Sequence, residues 1–99
     1  MIIKVSFGGD YNPDYIEVPS DINLKKYEIR RKFYNWIDNT EEEHPFWEYE
    51  NGLRIGLNYR GNAIVYWLNN YILKNAKCKS RLIESFSNKS LDYDLMIKL

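Results

Sequence analysis

Asn51-Gly52 lies between residues 46–50 and 53–59, two runs rich in β-formers, and no other pair constrains this chain as much. A two-residue connection needs positive φ at both positions, which Asn and Gly tolerate best, so the segment predicts a tight β-hairpin. Two registers compete. With Asn51-Gly52 alone as the loop, Glu50 faces Leu53 and Glu48 faces Ile55, which sets two carboxylates on the sheet face of Leu53, Ile55 and Leu57. With Glu50 drawn into a three-residue loop, Tyr49 pairs with Leu53, Trp47 with Ile55 and Glu48 with Arg54. The second separates an aromatic and aliphatic face from a charged one and is the register expected. It assigns Trp47 and Tyr49 to the core and turns Phe46, Glu48 and Glu50 outward.

The rest of the chain supplies layers for this hairpin to join. Residues 2–7 read as a β-branched opening strand, closed by turn chemistry at Gly8-Gly9-Asp10 and Asn12-Pro13-Asp14, and residues 15–18 as a short second strand. After Pro19, Ser20 or Asn23 can cap a helix running to about Asp38, with Ile22, Ile29, Phe33, Trp36 and Ile37 on one stripe. Beyond Arg60, the residues Ile64, Trp67, Leu68, Tyr71 and Ile72 match helical spacing with Asn62 as cap. Their β-branched and aromatic content also suits a strand; a helix is expected. Residues 80–86 fit helix or strand, residues 87–90 read as a loop, and Tyr93, Leu95, Ile97 and Leu99 alternate as a C-terminal strand inside a mixed sheet. The expectation is a single α+β domain over residues 1–99: a small antiparallel or mixed sheet with one long helix and a second helix packed on it.

Composition narrows the function classes. With 44% hydrophobic and 28% charged residues the chain can fill a core and stay soluble, and 14 basic residues balance 14 acidic ones. That neutrality argues against a dedicated nucleic-acid binder, which needs a basic excess on at least one face. Cys78 is the only cysteine, so no intrachain disulfide forms, and the chain fits a reducing compartment. There is no basic leader before a long apolar run, and the longest apolar run, residues 63–68, is too short to span a bilayer. A cytoplasmic protein is expected.

Catalytic chemistry finds little to build on. His44 is the only histidine, which excludes multi-histidine metal sites, and it is expected as an exposed loop residue. Glu41-Glu42-Glu43 lacks the Asp/Asn/Gly alternation of a calcium loop. Gly8-Gly9 has neither a Gly-x-Gly-x-x-Gly pattern nor a Gly-Lys-Ser/Thr sequence and reads as a turn. No catalytic residue, cofactor or metal is expected.

Charge is nevertheless segregated along the chain. Between Phe33 and Leu53 stand six carboxylates, Asp38, Glu41, Glu42, Glu43, Glu48 and Glu50, and six aromatics, Phe33, Tyr34, Trp36, Phe46, Trp47 and Tyr49, with no Lys or Arg. Basic clusters flank them, Lys25, Lys26, Arg30, Arg31 and Lys32 on one side and Lys74, Lys77, Lys79, Arg81 and Lys89 on the other. Acidic charge attracts a basic partner at long range and aromatics supply contact area, so the expected partner-binding set is Asp38, Glu41, Glu42, Glu43, Phe46, Glu48 and Glu50, with Phe46 as anchor. In size, in its opening strand followed by an aromatic-rich helix, and in its acidic and aromatic segment at 41–57, the chain resembles small bacterial immunity proteins encoded beside contact-dependent growth inhibition toxins. The resemblance implies a cytoplasmic inhibitor that binds a cognate toxin domain, often a nuclease, and occludes its active site. Two other readings stay open: a phage-type inhibitor that mimics nucleic acid, and a small nucleic-acid-binding regulator using the basic face of the first helix.

Overall fold

The computed structural model describes residues 1–9 and 11–99. Its elements run β1 (Ile2–Ser6), β2 (Asp14–Glu17), α1 (Lys26–Ile37), β3 (Trp47–Glu50), β4 (Leu53–Leu57), α2 (Gly61–Trp67), β5 (Arg81–Glu84) and β6 (Leu95–Lys98), and α2 continues into a π-helical turn, Leu68–Ile72. The fold is α+β: a four-stranded mixed sheet ordered β5-β2-β1-β6, two helices, and a separate two-stranded ribbon, β3-β4. β1 and β2 are antiparallel neighbours, while β6 runs parallel to β1 at one edge and β5 antiparallel to β2 at the other. The turn expected at 8–10 includes Asp10, which lies outside the described residues.

Alternation explains the sheet. Ile3 and Val5 of β1 stand beside Ile16 and Asp14 of β2 and Leu95 and Ile97 of β6, and the apolar members of that face pack with Ile29, Phe33, Trp36 and Ile37 of α1 and Ala63, Ile64, Trp67 and Leu68. The opposite face is partly covered by the segment before β6: the Leu91 N–H reaches the Tyr15 hydroxyl at 3.4 Å and Lys4 lies over the Tyr93 ring.

Both helices depart from expectation at their ends. α1 has 12 residues rather than the long span expected. Residues 19–22 close a turn, with the Ile22 N–H donating to the Pro19 carbonyl at 3.2 Å, so Ile22 precedes the helix. The start is set at Lys25, whose N–H donates to Glu28 Oε1 at 3.2 Å, and neither Ser20 nor Asn23 caps it. α2 begins one residue before the expected cap: Arg60 is the cap, and Asn62 Oδ1 accepts from the Arg60 N–H at 3.0 Å. After Trp67 the hydrogen bonding widens, Leu73 N–H reaching the Leu68 carbonyl. Side chains take carbonyls of the preceding turn, Asn70 Nδ2 donating to Tyr66 at 2.8 Å and Ser80 Oγ to Val65 at 3.4 Å. One extra residue per turn shifts the phase of the apolar stripe, so Tyr71 and Ile72 are exposed where the spacing predicts core, and Leu73 is buried instead. Residues 81–84 resolve as a strand.

Candidate functional site

The Asn-Gly signal places the turn correctly, with Asn51 at φ 52° and Gly52 at φ 81°, but the register is not the one expected. Glu50 pairs with Leu53 and Tyr49 with Arg54, then the register shifts, and Glu48 pairs with Gly56 and Trp47 with Leu57. The loop is therefore the two-residue one, and Ile55 is the extra residue of a bulge opposite Glu48. Near the tip Glu50 shares a face with Leu53, an arrangement that would leave a carboxylate without a partner if that face were buried. The resolution is that this face is not buried. Leu53 is 70% and Ile55 58% exposed, and the bulge resets the alternation so that Trp47 and Leu57, at the base of the ribbon, face the body. Gly56 was the available signal, since an isolated glycine within a strand pattern marks a bulge.

The inward face is organised by Arg54, which the sequence reading paired with Glu48. Its guanidinium donates to the Thr40 carbonyl at 2.6 Å, to Glu43 Oε1 at 2.9 Å and to the Tyr49 hydroxyl at 3.2 Å, and it lies 4.3 Å from the centre of the Trp47 ring. Tyr49 is half exposed rather than core, its hydroxyl bonded to Glu43 Oε2. Trp47 Nε1–H donates to the Glu42 carbonyl at 2.8 Å. The acidic loop is thus sewn to one side of the ribbon.

His44, expected exposed, is buried. Its Nε2 stands 3.0 Å from the Ile37 carbonyl, a terminal acceptor of α1, and its Nδ1 accepts from the Phe46 N–H at 3.2 Å. Nδ1 accepts only when unprotonated, so this pair of bonds requires the neutral ring with its hydrogen on Nε2. The ring stacks on Trp47 at 4.9 Å with a 10° interplanar angle and meets Trp36 at 4.7 Å. It is a helix C-terminal cap and the pin of the acidic loop.

The seven nominated residues do not form one face. Glu43 is spent on Arg54. Glu42 is half-buried, and Asp38 and Glu41 are exposed at the end of α1. Phe46 is not an exposed anchor: it is half-buried on Trp36, His44 and Tyr66, with centroids 5.5 to 6.3 Å away. Glu48 and Glu50 stand on the far side of the ribbon from the acidic loop, with Leu53 and Ile55 beside them, and neither glutamate has a cationic partner among the described residues. Leu53 and Ile55 are the apolar residues that sequence reasoning missed, because alternation alone assigned them to the core.

Elsewhere the notable polar cluster is internal. Asp14, expected in a turn, is fully buried and accepts from Arg60 Nη2 at 2.5 Å, Gly61 N–H at 2.7 Å, Phe86 N–H at 2.9 Å and Ser85 Oγ at 3.2 Å. Arg60 lies between the Phe7 and Phe86 rings, 4.2 and 3.7 Å from their centres. A Cβ at position 61 would stand 2.9 Å from Asp14 Cβ, so only glycine admits this approach. Joining Asp14 to Arg60, Gly61, Ser85 and Phe86, the cluster is a latch between β2, α2 and the segment after β5. An open groove of about 360 Å³ is lined by Pro19, Asp21, Ala76, Lys77 and Cys78, and Asp21 and Lys77 form no ion pair there among the described residues. No group of three or more metal-ligating side chains gathers among the described residues, and no helix among them is long and apolar enough to cross a membrane. Comparison with family models, with curated proteins and with solved structures gives no match.

Proposed function

We propose that this chain is a cytoplasmic protein-binding inhibitor of the immunity type, which neutralises a cognate bacterial toxin domain, a nuclease being the best fit, by docking a basic surface on its acidic ribbon. It binds rather than catalyses. The observation that carries the reading is the outward face of β3-β4, where unpaired Glu48 and Glu50 flank exposed Leu53 and Ile55. Carboxylates speed encounter with a phosphate-binding surface, and aliphatic side chains in the centre of the contact slow its dissociation. Asp38 and Glu41 extend the attractive field from the neighbouring loop.

The test is co-expression with the adjacent open reading frame. A stoichiometric complex with a toxic protein is the expected result; recovery of nucleic acid, or of the chain alone, overturns the reading. Within the complex, Glu48→Lys with Glu50→Lys should slow association in a salt-sensitive way, and Leu53→Ala should speed dissociation roughly tenfold. If both variants protect cells as well as the parent at limiting inhibitor levels, the assigned face is wrong.

A second reading, a small nucleic-acid-binding regulator, draws on α1, where Lys25, Lys26, Arg31 and Lys32 are exposed and enter no ion pair among the described residues. Its signature is affinity for single- or double-stranded nucleic acid that falls steeply with added salt.

A further inference from the structure

The ribbon has two edges, and they are not equivalent. Glu50 and Leu53 close a two-residue turn, so Glu50 and Glu48 direct their backbone N–H and C=O groups toward β4, while those of Trp47 and Tyr49 point away from it. No described residue supplies a backbone partner to the outward groups of Trp47 or Tyr49. The edge of β4 is broken by the Ile55 bulge, the usual device for blunting an edge strand, whereas β3 runs unbroken over Trp47–Glu50.

The side chains on β3 say what can lie along it. In a sheet extended by one strand, the new neighbours of Glu48 and Glu50 lie on the outward face and those of Trp47 and Tyr49 on the inward one. A second copy of this chain adding antiparallel through β3 would set its own Glu48 and Glu50 against these glutamates, and like charges on neighbouring strands destabilise pairing. Lys or Arg at alternate positions would instead meet both carboxylates, with apolar residues between them covering the half-exposed Tyr49 ring.

We propose that the outer edge of β3 is a strand-addition site for an extended segment of a protein partner that carries basic residues at every second position and apolar residues between them. This rests on the inhibitor reading and names how the partner is held: backbone bonds at Trp47 and Tyr49 supply affinity, and Glu48 and Glu50 supply register and selectivity. The bulge on β4 makes the ribbon one-sided, so a single strand is accepted.

The experiment uses the full chain, labelled with nitrogen-15, and a capped hexapeptide of alternating lysine and valine as probe. Controls are a peptide alternating glutamate and valine, and one alternating lysine and proline, which has the same charge but lacks the donors of the apolar positions. At millimolar peptide, the lysine–valine probe should slow hydrogen exchange at the Trp47 and Tyr49 amides by about tenfold or more, leaving the Glu48 and Glu50 amides, already bonded to β4, unchanged. Glu48→Gln with Glu50→Gln should abolish the protection without altering the chain's own spectrum away from the ribbon. Equal binding of the lysine–proline peptide means charge attraction alone and overturns the proposal, as does absence of protection at either amide. Protection of these amides that rises with protein concentration in the free chain assigns the edge to a second copy and overturns it too. Co-purification with a toxin but no probe effect removes strand addition and leaves the inhibitor reading standing; probe protection without any toxin does the reverse.

Discussion

Replacing Asp14 with asparagine keeps the side chain's shape and removes its charge and one acceptor, so it tests the buried latch rather than the packing around it. Oδ1 accepts from Arg60, Ser85 and the Phe86 N–H, and Oδ2 accepts from the Gly61 N–H. Whichever way the amide is turned, its NH2 group faces a backbone N–H, that of Gly61 or that of Phe86. The Gly61 N–H stands 2.7 Å from Oδ2 and the Phe86 N–H 2.9 Å from Oδ1, and the side chain is fully buried between them. Arg60, whose side chain is 17% exposed, then keeps its charge and loses its counter-ion. Breaking a buried pair from one side costs about 3–5 kcal/mol, and the partial exposure of Arg60 places this case near the lower end, about 3 kcal/mol. A domain of this size is held by about 5–15 kcal/mol in all. Each kcal/mol moves the melting temperature by about 4–8 °C at this length, so Asp14→Asn should lower Tm by roughly 12–24 °C. Thermal melts followed by circular dichroism at neutral pH, with urea titrations to check that the m value is unchanged, read this directly. A fall below about 4 °C, equivalent to less than about 1 kcal/mol, would mean that solvation of Arg60 replaces the pair, and the latch would hold nothing.

Three further outcomes follow from neighbouring observations. Burial pushes Tyr59 up to about 12 from its ordinary 10.0, and Tyr34 and the Asp38 carboxylate add to the effect. The fold prefers the neutral phenol, so that contribution is complete below about pH 10 and lost as pH rises through about 12; Tyr59→Phe should flatten alkaline unfolding in this window, and an unchanged slope contradicts it. His44→Ala removes the cap on Ile37, the acceptor of the Phe46 N–H and three ring contacts, which should cost about 2–4 kcal/mol and speed amide exchange between residues 39 and 46; equal exchange in variant and parent refutes the pinning role. The Arg81 guanidinium, 2.7 Å from Glu17, holds that carboxyl below the usual carboxylate range. In Arg81→Gln a carbon-13 titration should find the Glu17 midpoint higher, and no movement would sink the pairing.

The parts of the fold that show in the sequence depend on neighbours close along the chain. The position of the Asn51-Gly52 turn, the stripe Ile29, Phe33, Trp36 and Ile37, and the C-terminal strand around Ile97 are local patterns that the structure places as read, except that β6 begins at Leu95 and leaves Tyr93 outside it and half exposed. Asp14 was illegible because its partners lie 46 to 72 residues away, and nothing near Asn12-Pro13 announces that a turn carboxylate will be walled in by a helix start. His44 has the same difficulty in miniature, since its burial depends on the aromatic rings that close over it. The register failed for a different reason. Choosing between loops by segregation of charge assumes that an apolar face is an inner face, and in a ribbon outside the main sheet that premise does not hold.

That failure bears on function. A two-stranded ribbon is marginal on its own, so a chain that displays one must stiffen it by other means. Arg54 does so from behind, tying Thr40, Glu43 and Tyr49 together over Trp47. The same contacts neutralise Glu43, the acidic residue nearest the inward face of the ribbon. Glu48 and Glu50, which enter no ion pair among the described residues, stand on a stiffened strand, and holding them in place beforehand spares the ordering cost a flexible acidic loop would incur on binding. The acidic composition of residues 38–50 therefore does two jobs with opposite demands: Glu43 pairs with Arg54 to brace one side of the ribbon, and Glu48 and Glu50 on the other side are left to face a partner.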